Sequence, residues 1–126
     1  MERAVELIRD AKTIAVVGIS SNPTRPSNEV AKYLIDAGYT VYLVNPVEEA
    51  DIFGLPVYDT VAELPESVDI VDVFRRPALV GEVVEDAIAA GARAVWMQLG
   101  IVNEAAAATA HAAGLEVVMD RCTKIE

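Results

Sequence analysis

At 126 residues the chain fits one domain of ordinary size, and a chain this long can bury roughly two-thirds of its unfolded surface in a single core. Hydrophobic residues at 53% and charged residues at 24% describe a globular protein rather than a disordered one. A net charge of −10 argues against nucleic acid or an anionic membrane as partner, since both need clustered Lys and Arg; a small anionic ligand remains open wherever the ten basic residues converge.

Residues 2–11, with Val5 and Ile8 at helical spacing, predict an opening helix and lack the apolar core of a signal peptide. No run approaches the roughly 18 apolar residues of a membrane span, so the expected location is cytoplasmic. An apolar run at 13–18 then leads through a polar loop to Ser27, a plausible N-cap. Val30, Ala31, Leu34 and Ile35 share one helical face, and Gly38 ends the helix. After a second run at 40–45, residues 46–66 are the least regular, with a turn at Phe53-Gly54-Leu55-Pro56 and one short helix near 60–64. A third run at 69–74 precedes Pro77, which suits a first helical turn. Leu79, Val80, Val83, Val84, Ala87 and Ile88 then form a stripe closed by Gly91. A fourth run, 94–98, leads to Asn103, which can cap an alanine-rich helix ending at Gly114, and a fifth run occupies 115–119.

The five runs are rich in Val, Ile and Leu with little polar alternation, as strands buried on both faces must be. Strands alternating with helices imply parallel β-α-β units with right-handed crossovers. The expectation is an α/β fold: a Rossmann-like, doubly wound, parallel five-stranded sheet of order 3-2-1-4-5, forming one domain over residues 1–126.

In such sheets ligands bind at the carboxyl ends of the strands, near the reversal of strand order. That rule gathers 18–27, Asn45-Pro46, Arg75-Arg76-Pro77 and 98–103 on one rim. Arg25, Arg75 and Arg76 fall there, together with two helix starts after Pro26 and Pro77 whose N–H groups and dipoles favour anions. Ser20, Ser21 and Ser27 add hydroxyls, and Gly18 permits close backbone approach, so the strand-to-helix loop reads as phosphate-binding. A dinucleotide fingerprint would need two further glycines and an acid at the end of the second strand, where this chain has Asn45-Pro46. No Gly-Lys-Ser/Thr occurs either, so NAD and ATP are poor first candidates.

Five motifs occur in order: 17–27 (Val-Gly-Ile-Ser-Ser-Asn-Pro-Thr-Arg-Pro-Ser), Gly38-Tyr39 leading to Val44-Asn45-Pro46, 72–77 (Asp-Val-Phe-Arg-Arg-Pro), 95–101 (Val-Trp-Met-Gln-Leu-Gly-Ile) and 117–122 (Val-Val-Met-Asp-Arg-Cys). Together they resemble the small bacterial and archaeal CoA-binding protein family, which is similar to the CoA-binding N-terminal domain of the succinyl-CoA synthetase α-subunit. The resemblance implies coenzyme A, or an acyl-CoA, along the marked rim. Gly18, Ser20, Ser21 and Arg25 would approach the phosphates, and Phe74, Arg75, Arg76 and Pro77 would lie against the nucleotide. Asn45 and Pro46 would face the adenosine end, with Gln98 and Gly100 nearer the pantetheine arm. Many members carry Lys or Arg just after the Asn-Pro. Here residues 47–51 are Val-Glu-Glu-Ala-Asp, whose acids would repel a ribose 3′-phosphate or shift its recognition to Arg75 or Arg76.

No catalytic set stands out. His111, the single histidine, falls near the end of the last helix, where a protonated ring suits the dipole. The phosphorylated histidine of the synthetases belongs to a second domain and has no counterpart in this chain. Cys122 follows the fifth run beside Arg121 and near Lys124; it reads either as a structural cysteine or as a thiol able to form a mixed disulfide with CoA. Asp69, Asp72 and Asp120 suggest no compact oxygen cage, so no metal is expected. The leading expectation is a freestanding binding module for CoA or acyl-CoA, acting as sensor, carrier or regulatory subunit, with a possible homodimer. The alternatives are one part of a two-part acyl-CoA enzyme and an NAD or adenine-nucleotide sensor.

Overall fold

β-Branched side chains pack well on a pleated surface, and each apolar run of the sequence forms a strand. The computed structural model describes residues 3–48, 50–98 and 101–119. Its strands are β1 (Thr13–Val17), β2 (Thr40–Val44), β3 (Val57–Tyr58), β4 (Ile70–Val73), β5 (Ala94–Met97) and β6 (Glu116–Val118). They form one sheet of order β3-β2-β1-β4-β5-β6, with every neighbouring pair parallel. The helices are α1 (Arg3–Asp10), α2 (Pro26–Asp36), α3 (Val80–Ala89) and α4 (Glu104–Ala112), with 3-10 turns at Val61–Glu63 and Pro77–Leu79.

The expected strand count of five is corrected to six. The additional strand, β3, has two residues between Pro56 and Asp59-Thr60, too short to show as an apolar run. It takes the edge beyond β2, and the run at 69–74 pairs with β1 instead. The resulting order is that of the doubly wound dinucleotide-binding sheets.

Successive residues of a strand face opposite sides, and β1 shows the consequence. Ile14 and Val16 pack with α1 and α2 through Ile8, Val30, Ala31 and Leu34. Ala15 and Val17 pack with α3 and α4 through Val80, Val83, Val84, Ala87, Ala106 and Ala110. Both faces of the central strands are therefore dry, which explains their lack of polar alternation. Asn103 caps α4 as its position suggested, accepting from the Ala106 N–H at 3.0 Å. Ser27 does not cap α2; the cap position is Arg25, and Ser27 lies inside the first turn. No helix among the described residues is long and apolar enough to cross a membrane.

Asp69 fastens the start of β4 to that of β1. Its carboxylate accepts from the N–H groups of Lys12 at 2.8 Å and Thr13 at 3.3 Å, and its own N–H donates to the Thr13 hydroxyl at 2.9 Å. Burial works to raise the carboxyl pKa, but the two backbone N–H groups and the nearby Arg93 outweigh it and hold the value below the ordinary 3.8. A lowered carboxylate pKa gives stability that is present above the unfolded value and lost as pH falls through the folded one. Asp69→Asn should therefore cost about 1 kcal/mol at pH 7, with the gap from wild type closing as pH drops below 3.8. Urea unfolding of both proteins across that range measures it.

Candidate ligand cleft at the strand reversal

Where β1 ends, its two neighbours are close on either side. The Gly18 N–H donates to the Val44 carbonyl at 2.8 Å, and the Phe74 N–H donates to the Val17 carbonyl at 2.8 Å. Gly18 adopts φ +93°, and a Cβ there would lie 2.6 Å from the Phe74 carbonyl oxygen and 3.1 Å from Cδ of Arg75. Only glycine fits, and its left-handed turn swings the chain out of the sheet.

The loop beyond Gly18 is pinned onto the first turn of α2. The Ser20 N–H donates to the Ser27 hydroxyl at 3.1 Å, and the Asn28 side-chain amide donates to the Ser20 carbonyl at 2.8 Å. This is the work of Ser27 in place of capping, and it explains why Ser27 and Asn28 are buried. Asn22 shapes the tip by accepting from the N–H and hydroxyl of Thr24 at 3.0 and 2.7 Å. Asn45 joins this loop to the next: its amide donates to the Ile19 carbonyl at 2.8 Å, while its side-chain oxygen accepts from the Val47 N–H at 3.1 Å. Glu48 makes a second bridge, accepting from the Ser21 N–H at 3.2 Å.

These loops enclose a cleft of about 550 Å3 at the carboxyl edge of the sheet, on the α2 side. Seven of the expected residues, Gly18, Ser20, Arg25, Ser27, Asn45, Phe74 and Gln98, line it, and Pro26, Val30, Glu48 and Ile101 complete the wall. The floor is fixed by a buried polar pair, in which the Gln98 amide donates to the carboxylate of the fully buried Asp72. A buried amide held in this way has a fixed orientation. Arg25 is exposed on the lip, beside the start of α2, so a guanidinium and a positive helix end meet at one point.

The other expected residues that the structure describes do not line this cleft. Phe74 and Arg75, just past the end of β4, line different cavities. Arg75 and Pro46 line a smaller cavity of about 140 Å3 on the α3 side, where Asp59, Glu82 and Asp86 also sit. Arg76 is exposed and lines neither cavity. Pro77 opens the 3-10 turn that leads into α3. Ser21 contributes its backbone N–H to Glu48. Gly100 and Cys122 lie outside the described residues. His111 is exposed in the last turn of α4.

Of the added wall residues, Val30 stands one turn beyond Pro26 on the same helix face, a spacing legible in the sequence. Ile101 is brought in by a turn in which its N–H donates to the Gln98 carbonyl at 2.9 Å. Glu48 reads from sequence only as an acid in a phosphate region, because nothing in its spacing reveals the bond to Ser21.

The family model described as a CoA binding domain matches residues 12–126. The uncharacterized protein YneT of Bacillus subtilis (strain 168) is 39% identical over 121 residues, covering 95% of this chain and 88% of that protein. A hypothetical protein from Pyrococcus horikoshii OT3 has a similar solved structure, with TM-score 0.94 and 41% identity, covering 98% of this chain and 86% of the other. An ADP-forming acetate–CoA ligase of Archaeoglobus fulgidus is 36% identical over 75 residues, which are 60% of this chain but 11% of the ligase.

Gly18 and Gly38 separate two costs of adding a methyl group. Both have positive φ, but nothing lies within 4 Å of a Cβ at Gly38. Gly38→Ala should lose about 1 kcal/mol from backbone strain alone, whereas Gly18→Ala should lose about 2–3 kcal/mol by adding the clash with the Phe74 carbonyl. Urea midpoints of the two variants test the difference.

Proposed function

The chain belongs to the CoA binding domain family, and from that premise we propose that the cleft between Gly18, Arg25, Asn45 and Gln98 holds coenzyme A or a closely related form of it. The observation that carries this reading is the coincidence of Arg25, the start of α2 and the Gly18 turn at one lip of the cleft. A diphosphate is an elongated anion, and a guanidinium paired with a helix N-terminus offers it charge-assisted hydrogen bonds and a favourable dipole. Gly18 lets the backbone come close, while Ser20 and Ser27 supply polar groups beside it. Val30, Phe74 and Ile101 give the same cleft an apolar side, suited to an adenine face or the pantetheine chain. Gln98, held by Asp72, would on this reading meet an amide of that chain.

On this reading the protein is a binding module, a sensor, carrier or regulatory subunit for CoA or acyl-CoA. The match to part of an acetate–CoA ligase supports a second reading, in which the module completes an acyl-CoA enzyme supplied by another chain. Turnover of an acyl-CoA by the protein alone, and then with candidate partner chains, separates the two.

Calorimetric titration with coenzyme A, its 3′-dephospho form and NAD should show binding of at least one coenzyme A species and none of NAD at the same concentration. Arg25→Ala should weaken the coenzyme by about 1.5–3 kcal/mol, roughly 10- to 150-fold. Arg75→Ala, across the strand end from the cleft, should change it by less than about threefold. An unchanged affinity in Arg25→Ala would place the ligand elsewhere.

A further inference from the structure

Arg25 is the one cationic side chain among the described residues that line the cleft, and Glu48 is the one anionic side chain. Glu48 is only partly exposed and is tethered at both ends: its carboxylate accepts from the Ser21 N–H at 3.2 Å, and its own N–H donates to the Asn45 carbonyl at 3.3 Å. The carboxylate is therefore a fixed part of the wall, four residues beyond the end of β2. Glu48 does not take the strand-end place of the dinucleotide acid, which Asn45-Pro46 occupies, but it follows on the same loop, in the region where doubly wound sheets hold a ribose hydroxyl.

We propose that Glu48 makes the cleft selective for an adenosine ribose with both hydroxyls free, and so for 3′-dephospho-coenzyme A over coenzyme A. The proposal rests on the coenzyme reading of the cleft. The vicinal 2′- and 3′-hydroxyls are two adjacent donors, matched to a carboxylate that has lone pairs left after accepting from Ser21. A 3′-phosphate removes one donor and adds a group close to −2 at neutral pH, facing a carboxylate in a partly desolvated wall. Arg25 does not relieve that conflict, since the diphosphate common to both ligands already occupies the lip where it stands. Arg75 and the acids around it belong to the other cavity. Like charge held close to a ligand group acts chiefly by rejecting the wrong ligand.

The test titrates wild type, Glu48→Gln and Glu48→Lys with coenzyme A and 3′-dephospho-coenzyme A. Glutamine keeps an oxygen for the Ser21 N–H while removing the charge, so the wall is preserved. Wild type should favour the dephospho form by about tenfold or more, Glu48→Gln should bring the two within about threefold, and Glu48→Lys should favour coenzyme A. Raising ionic strength from about 50 to about 500 mM should narrow the wild-type preference, because screening weakens the repulsion. Coenzyme A binding wild type as tightly as the dephospho form would overturn the proposal, and so would a preference that survives in Glu48→Gln. In both cases the coenzyme reading would stand. Failure of both ligands to bind wild type would remove that reading and this proposal together.

Discussion

Between the ends of β2 and β4 there is room for a backbone and for nothing more. Gly18 fills that space: it continues the ladder to Val44 on one side, while the Phe74 carbonyl on the other side would stand 2.6 Å from any Cβ. The position is the topological switch point, because the chain goes on from β1 through α2 to β2, whereas β4 lies on the opposite flank. A side chain here would push apart the strands whose ends form the cleft. With glycine, the strands stay in register, the loop turns out at once, and residues 19–28 can fold back over the carboxyl edge. The tethers through Ser27, Asn28 and Asn45 all depend on the loop leaving the sheet at that point.

Strand alternation decides which side chains the cleft receives. Along β4 and its extension, Val71 and Val73 face α3 and α4, whereas Ile70, Asp72 and Phe74 face α1 and α2. Asp72, which holds Gln98, and Phe74 of the cleft wall are therefore successive members of one face. Arg75, in the bend beyond the strand, lies on the other side of the sheet. It lines the smaller cavity with Asp59, Glu82 and Asp86, and among the described residues that line the larger cleft Arg25 is the cation.

Much of this was legible in the sequence because the signals were long or chemically strict. The Val- and Ile-rich runs, the stripes on α2 and α3, the Asn103 cap and the terminating glycines each mark an element by a physical requirement that few residues meet. The two-residue β3 offered no such signal, and its edge position comes from pairing with β2 rather than from its own composition. The rim was legible as a set of strand ends, since the fold class alone predicts where they converge. What one dimension could not show was facing. The strand-end rule puts Arg75 and Pro46 on the same rim as the cleft residues without saying which side of the sheet they take, and the hydroxyl of Ser27 at a helix start reads as a cap because it has that role most often. Glu48 reads from the sequence only as an acid that would repel a 3′-phosphate; its bond to Ser21, 27 residues away, is not visible there.

The charge of the whole chain constrains how such a cleft can work. At −10, the protein repels an anionic ligand at long range, so approach is not steered toward the site in the way that basic clefts steer their substrates. That repulsion fades beyond a Debye length of about 8 Å at physiological salt, whereas hydrogen bonds to fixed groups act only on contact. Affinity must then come from short-range geometry: a guanidinium at a helix start, a glycine turn that admits the ligand, and polar side chains already bonded into place. Discrimination follows from the same economy of charge. In a strongly basic cleft one more phosphate on a ligand would always be welcome, but among the described residues that line this cleft Arg25 is the one cation and Glu48 the one anion, and on the proposed reading each added charge on a ligand has to find its own partner. A cleft of this kind distinguishes related anions by where their charges fall rather than by how many they carry.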